Sequence, residues 1–175
     1  MPGIPPRAAR VRLAVFDVDG VLTDGGLLLG PEGEEYKVFH AHDGLGIVML
    51  RECGLKVAVI SSRSAPVVAE RMAALGVEHV VQGRDDKRTA LVELAERLGV
   101  PAADIAYVGD DLVDLPAMAV AGLPIAVADA HPMVRACAQW ITQKPGGRGA
   151  VREVCEMLLE AQGLLEARIA RYRGA

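Results

Sequence analysis

Aromatic side chains are scarce in this sequence: two Phe, three Tyr and one Trp make up 3% of the chain. A surface that reads single-stranded nucleic acid needs aromatic platforms beside a basic groove. The basic groove is missing too, since 19 Lys and Arg face 23 Asp and Glu for a net charge of -4. Nucleic acid is therefore excluded as a partner. No run approaches the roughly 18 apolar residues of a membrane span, and the opening MPGIPPRAAR lacks the apolar core of a signal peptide. No membrane partner is expected, and the expected location is cytoplasmic. Cys53, Cys137 and Cys155 form an odd set without C-x-x-C spacing, in apolar helical settings. Buried free thiols in a reducing compartment are expected, not a disulfide framework or a zinc site. No local pattern pairs a cysteine with a histidine, and the four histidines are read as non-catalytic.

What the sequence does have is alternation. With 51% hydrophobic and 24% charged residues over 175 positions, residues 1–175 are expected to form one domain with a sizeable core. Short apolar runs at 12–18, 56–61, 78–82, 105–109, 124–128 and 140–143 are separated by segments of helical length such as SAPVVAERMAALG and DKRTALVELAERLG. Runs without polar alternation mark strands buried on both faces, so the expected fold class is α/β, a doubly wound parallel sheet. Residues 25–40 interrupt the pattern with two strand-like arms around Pro-Glu-Gly, a projecting β-hairpin flap. Residues 144–175 form a tail whose Val151, Val154, Cys155, Leu158 and Leu159 follow the spacing of a docked helix, with a break expected at Gly163. The spaces between the strands leave no room for an inserted cap domain.

The chemistry gathers at strand ends. LAVFDVDGVLTDGG carries Asp17 and Asp19 off the end of the first strand, Ser61 ends the next, and GDDLVDLP places Asp110, Asp111 and Asp114 past a fourth. Lys87 opens a helix in GRDDKRTA. In an open parallel sheet, ligands bind beyond the carboxyl ends of the strands, so these groups are expected to face one crevice. Five carboxylates and one lysine would repel a phosphate dianion. A divalent cation with oxygen ligands resolves this, and Mg²⁺ suits a site offering two or three carboxylates, a phosphate and waters.

DVD, ISS, DDK and GDDLVD, in that order, resemble the four motifs of the haloacid-dehalogenase-like phosphatases. Over about residues 10–165 the chain also resembles one branch, the 3-deoxy-D-manno-octulosonate 8-phosphate (KDO 8-phosphate) phosphatases. FDVDGVLTDG, DGLGI, LGVEHVVQG, GDDLVDLPAM, AVADAHPMV and GGRGAVREVCEMLL carry this likeness. There are two departures: Ser61 and Ser62 in ISSR stand where TGR is usual, and His42 stands where an Arg commonly precedes DG.

The resemblance implies a Mg²⁺-dependent phosphatase acting on a sugar-acid phosphate in the supply of lipopolysaccharide precursors. Asp17 is then the nucleophile. Asp19 is the general acid and base, and its backbone carbonyl is a metal ligand. Asp110 is the other direct ligand beside Asp17, with Asp111 or Asp114 holding metal-bound water or Lys87. Ser61 and Lys87 bind the transferring phosphoryl group, and Gly20, Ser62 and Arg63 are further substrate contacts. The GGRG segment, Gly146 to Gly149, is expected to be flexible enough to approach a ligand closely, so that Arg148 pairs with the substrate carboxylate. A homotetramer is implied, its hairpins associated and a neighbouring subunit covering each site. Within the family a nonulosonate 9-phosphate is the nearest competing substrate, and Arg63 favours the octulosonate because the nonulosonate relatives tend to carry Glu there. A phosphoacceptor receiver module is the more distant reading. It has no use for a second carboxylate two residues past the nucleophile, so Asp19 speaks against it. An inactive module is disfavoured by the intact acidic set.

Overall fold

The structure, a computed structural model, describes residues 3–174. In chain order it runs β1 (Leu13–Phe16), β2 (Leu28–Leu29), β3 (Glu35–Tyr36), α1 (Ala41–Glu52), β4 (Lys56–Ile60), α2 (Pro66–Ala74), β5 (His79–Val81) and α3 (Lys87–Leu98). There follow β6 (Ile105–Gly109), α4 (Leu115–Met118), β7 (Leu123–Ala126), α5 (Pro132–Cys137), β8 (Trp140–Ile141), α6 (Ala150–Ala161) and α7 (Leu165–Tyr172).

Six strands form one parallel sheet in the order β5-β4-β1-β6-β7-β8, flanked by helices. Among the described residues, no cap domain is inserted between the strands. β1 sits near the middle because LAVF has no polar side to offer water, and all four of its side chains are fully buried. Because β4 and β6 pair with β1 in parallel, all three deliver their last residues to the same edge. The chain leaves β1 towards β4 and β5, then returns to β6 on the other side. That reversal opens a crevice above β1.

The segments singled out as DG and GGRG turn out to be one structural joint. Asp43, in the first turn of α1, is buried, and its carboxylate accepts hydrogen bonds from Gly149 N (3.1 Å) and Arg152 N (2.7 Å), which begin α6. It therefore satisfies two amide donors of a helix not its own. Burial pushes the Asp43 carboxyl up, although these two bonds draw it down. Gly46 lets α1 approach closely, since a Cβ there would lie 3.1 Å from Arg152 Cα. Asp43→Ala is expected to cost about 2–3 kcal/mol, because it leaves two helix-start donors without a partner. Thermal denaturation of the variant measures this, and an unchanged midpoint would remove Asp43 from the account of stability.

The hairpin expected within 25–40 is present, β2 pairing antiparallel with β3, but its arms are only two residues each, and Leu28, Leu29, Tyr36 and Val38 are exposed, so little burial extends the pairing. Two expectations need correction. Of the cysteines only Cys155 is buried; Cys53, just past the end of α1, is half-buried, and Cys137, the last residue of α5, is exposed. The Gly146-Gly147 pair is also not a flexible approach to a ligand. Gly147 N donates to Val21 O (2.9 Å), and a Cβ on Gly146 would fall on the Gly20 carbonyl, so the pair lies flush against the loop that follows β1. Among the described residues, no helix is long and apolar enough to cross a membrane.

Candidate active site

Beyond β1 the backbone turns sharply. The amides of Val21, Leu22 and Thr23 all point to Val18 O, while Thr23 Oγ1 donates to Val18 O and accepts from Gly25 N (3.2 Å). Gly20 has a φ of 89°, and a Cβ there would collide with the Asp110 carboxylate. Only glycine supplies that conformation without strain and lets the loop close over Asp110.

The result is a cavity of about 250 Å³ lined by Asp17, Asp19, Gly25, Ser61, Ser62, Arg63, Lys87, Asp110, Asp111 and Val113. Every residue expected at the crevice except Gly20, Asp114 and Arg148 lines it directly. Gly20 backs Asp110, and Asp114 lies beneath. Arg148 is outside this lining: its guanidinium bonds Asp24 (3.0 Å) on the surface, because the tight loop of Gly146 and Gly147 turns it away.

Asp114 organises the floor. It is fully buried, and its Oδ1 accepts from Lys87 Nζ and from the Tyr107 hydroxyl, both at 2.8 Å. Its Oδ2 accepts from the amides of Asp110 (3.0 Å) and Asp111 (3.3 Å). All of its hydrogen-bonding capacity faces protein, so of the two carboxylates considered for holding Lys87 it is Asp114 that does so. Asp111 caps the short 3-10 turn Leu112–Asp114, accepting from Leu112 N (2.8 Å). Lys87 Nζ also pairs with Asp17 Oδ1 (2.8 Å). Burial alone would pull the Lys87 ammonium down, but Asp17 and Asp114 push it up, so it stays charged.

The nucleophile candidate has an unusual setting. Burial, then repulsion from Asp114, push the Asp17 carboxyl up to about 7 against the pull of Lys87. Burial, then Asp17 and Asp114, push Asp110 up to about 8, and its buried Oδ1 has no hydrogen-bond partner. Oxygens of Asp17, Asp110 and Asp114 lie within 4.8 Å of one another. An orphaned buried oxygen beside a second carboxylate, in an all-oxygen donor set, fits a hard divalent cation. Since Asp114 is already saturated, Asp17 and Asp110 are the pair free to bind one. Ser61 is buried at the end of β4, where its Oγ accepts from Arg63 N (3.2 Å) and shapes the turn that carries Ser62 and Arg63.

Sequence reasoning missed the hairpin's contribution. Lys37 Nζ bonds Asp19 Oδ1 and pairs with Glu35 Oε1 (2.6 Å), whose other oxygen accepts from Arg63 (2.9 Å). The signal was present in EYKV, where period-two alternation puts both charged residues on one face. His40 and His131 prove to be helix caps, accepting from His42 N (3.3 Å) and Met133 N (3.2 Å). His42 is exposed and packs edge-on against His40, with ring centres 4.9 Å apart, away from the cavity lining.

Comparison with known proteins places these features in a lineage. The family model described as haloacid dehalogenase-like hydrolase matches residues 76–153. The 3-deoxy-D-manno-octulosonate 8-phosphate phosphatase KdsC of Salmonella typhimurium is 47% identical over 165 residues, covering 94% of this chain and 88% of that one. Its Escherichia coli K12 counterpart is 48% identical over 160 residues, covering 91% and 85%. The crystal structure of 3-deoxy-D-manno-octulosonate 8-phosphate phosphatase from Moraxella catarrhalis, in complex with magnesium, phosphate and KDO, superposes with a TM-score of 0.93. It is 45% identical and covers 95% of each chain.

Proposed function

The chain belongs to the 3-deoxy-D-manno-octulosonate 8-phosphate phosphatase family of haloacid-dehalogenase-like hydrolases, and from that membership we propose how its residues hydrolyse KDO 8-phosphate to KDO and phosphate. The observation that carries the proposal is Asp17: a buried carboxylate at the floor of a polar cavity, with Lys87 against one oxygen and Asp19 two residues on.

Asp17 attacks phosphorus through Oδ2, the oxygen not paired with Lys87, as the ester oxygen leaves, giving an aspartyl-phosphate. Asp19 gives its proton to the leaving alkoxide, then takes one from the water that opens the acyl-phosphate, returning Asp17 and releasing phosphate. Lys87 and the Ser61 hydroxyl hold the transferring phosphoryl oxygens, where charge and position supply most of the catalysis. Asp17, Asp110 and the Asp19 carbonyl would hold Mg²⁺, which neutralises charge on the phosphoryl group and the carboxylates. Asp114 keeps Lys87 in place, and Asp111 fixes the turn that presents Asp110.

Substrate recognition draws on Ser62 and Arg63 at the mouth of the cavity, with Gly20 shaping its wall. The site as built by one chain is shallow. The exposed Leu27, Leu28, Leu29, Tyr36 and Val38 on the hairpin favour association into a homotetramer. In that assembly Arg148, exposed and paired with Asp24, meets the carboxylate of a substrate held by a neighbour. The expected ranking by kcat/KM in a panel of sugar phosphates is KDO 8-phosphate first and a nonulosonate 9-phosphate well behind; the reverse order would overturn the substrate assignment. Arg148→Ala should lower kcat/KM for the sugar acid about tenfold or more while sparing a small phosphate ester. Equal losses on both, or a fully active monomer by light scattering, would reject the intersubunit contact.

A further inference from the structure

We propose that Lys37, carried into the site by the hairpin, is the positioning residue of Asp19. It fixes Oδ1 so that Oδ2 is the oxygen that delivers the proton to the leaving group. This rests on the assignment of Asp19 as the general acid.

The geometry is specific. β3 and the two residues that follow it keep an alternation, so Glu35 and Lys37 turn toward Arg63 and Asp19 while Tyr36 and Val38 stay exposed. The Lys37 side chain is 1% exposed although it comes from a projecting flap, and both of its partners are carboxylates. Burying an ammonium costs several kcal/mol unless it is paired, roughly speaking, and here two carboxylates pair it. Glu35 is itself held by Arg63, so a chain of four charges runs from the β4 turn through the hairpin to Asp19. Among the described residues, no partner is placed on Asp19 Oδ2, which leaves that oxygen for chemistry. A carboxylate otherwise rotates about two torsions and spends its time in unproductive orientations. Misplacing a reacting group by about 1 Å costs on the order of 10²-fold in rate.

A general acid matters in proportion to how badly the leaving group needs a proton. The alkoxide of a sugar phosphate needs one, whereas 4-nitrophenolate leaves without help. The informative quantity is kcat/KM, which reports only events up to departure of the leaving group and is blind to the later hydrolysis of the aspartyl-phosphate. Lys37→Met should lower kcat/KM for KDO 8-phosphate about 10- to 100-fold and for 4-nitrophenyl phosphate no more than about threefold. Glu35→Gln, which loosens Lys37 without removing it, should show the same split at smaller size. Asp19→Asn should show the split in full, by roughly 10²- to 10⁴-fold on the sugar phosphate. Thermal denaturation reports that the variants fold.

Equal losses on both substrates in Lys37→Met, with the split intact in Asp19→Asn, would assign Lys37 to the phosphate common to both and overturn the proposal. So would an unchanged Lys37→Met. Equal losses in Asp19→Asn would reject the general acid itself, and the proposal with it.

Discussion

Asp17→Asn is expected to remove turnover altogether, at least about 10⁴-fold below the parent, while leaving a folded protein. A carboxamide cannot form the acyl-phosphate, and no other carboxylate of the cavity takes its place: Asp114 is saturated by four donors, and Asp19 is tied to the hairpin. The fold should not suffer, for a reason particular to this site. Burial and Asp114 already oppose the Asp17 charge, pushing its carboxyl up to about 7, so at pH 8 the ionised group weakens the metal-free fold. Replacing it with a neutral isostere relieves that opposition, and Lys87 keeps Asp114 as partner. The metal-free variant should therefore unfold at the same temperature as the parent or a few degrees above it at pH 8. Substantial residual turnover would end the covalent mechanism. A collapse in stability with Lys87 displaced would mean that the ion pair, not the chemistry, was lost.

Removing the metal should have an effect of comparable size. Chelation is expected to abolish activity and Mg²⁺ to restore it, with Ca²⁺ a poor replacement because its looser, higher coordination would misplace the nucleophile. The stability of the metal-free protein carries a second signature. Asp17 and Asp110 have folded pKa values of about 7 and about 8, above the 3.8 of an unperturbed Asp. The folded state thus holds these protons to higher pH than the unfolded chain does, and their contribution is fully present below about pH 4. It is lost as pH rises through the interval to about 8. Carboxylates of the opposite kind, such as Glu35, held below its ordinary range by Arg63 and Lys37, have already made their contribution above about pH 5. The melting temperature of the chelated protein should accordingly fall between pH 5.5 and 8.5, and saturating Mg²⁺ should raise it most at the upper end. A flat profile, or a Mg²⁺ effect greatest in acid, would contradict the paired carboxylates as the cation site.

The parts of this molecule that were legible in its sequence are those where a local pattern and a global need coincide. LAVF, KVAVI and IAYVG are apolar because both faces are covered, and Asp17, Ser61 and Asp110 follow them directly, so strand ends and reactive groups are read together. Lys87 was legible because the motif order located it, although a lysine at a helix start ordinarily points to water. What was not legible depends on contacts between distant segments. Lys37 in EEYKV looks like a solvated charge until the hairpin is folded back over Asp19. Tyr107 looks like core packing, and only its hydroxyl's bond to Asp114 reveals its part in the site. The aspartate of DGLGI looks like the start of its own helix, whereas it holds the start of another. Arg148 was placed against the substrate on the expected flexibility of GGRG, whereas that loop is packed flat and within its own chain Arg148 answers to Asp24.

The joint between α1 and α6 bears on how the chain is made. Asp43 and Gly149 are bonded across 106 residues, and Arg148 reaches Asp24 across 124. A protein synthesised from its N-terminus therefore exposes Asp17 and Asp19 early, on a loop that has not yet received the Gly146-Gly147 segment that packs against it. Contacts this distant in sequence form late and slowly, after the entropy of a long loop has been given up. A ribosome-bound chain that has not yet gained Gly146 and Gly147 would hold the carboxylates of the cavity without the loop shape they have in the folded protein. A chain truncated before Gly146 is expected to lose activity even where its sheet has formed, because the loop after β1 then lacks the segment that packs on it.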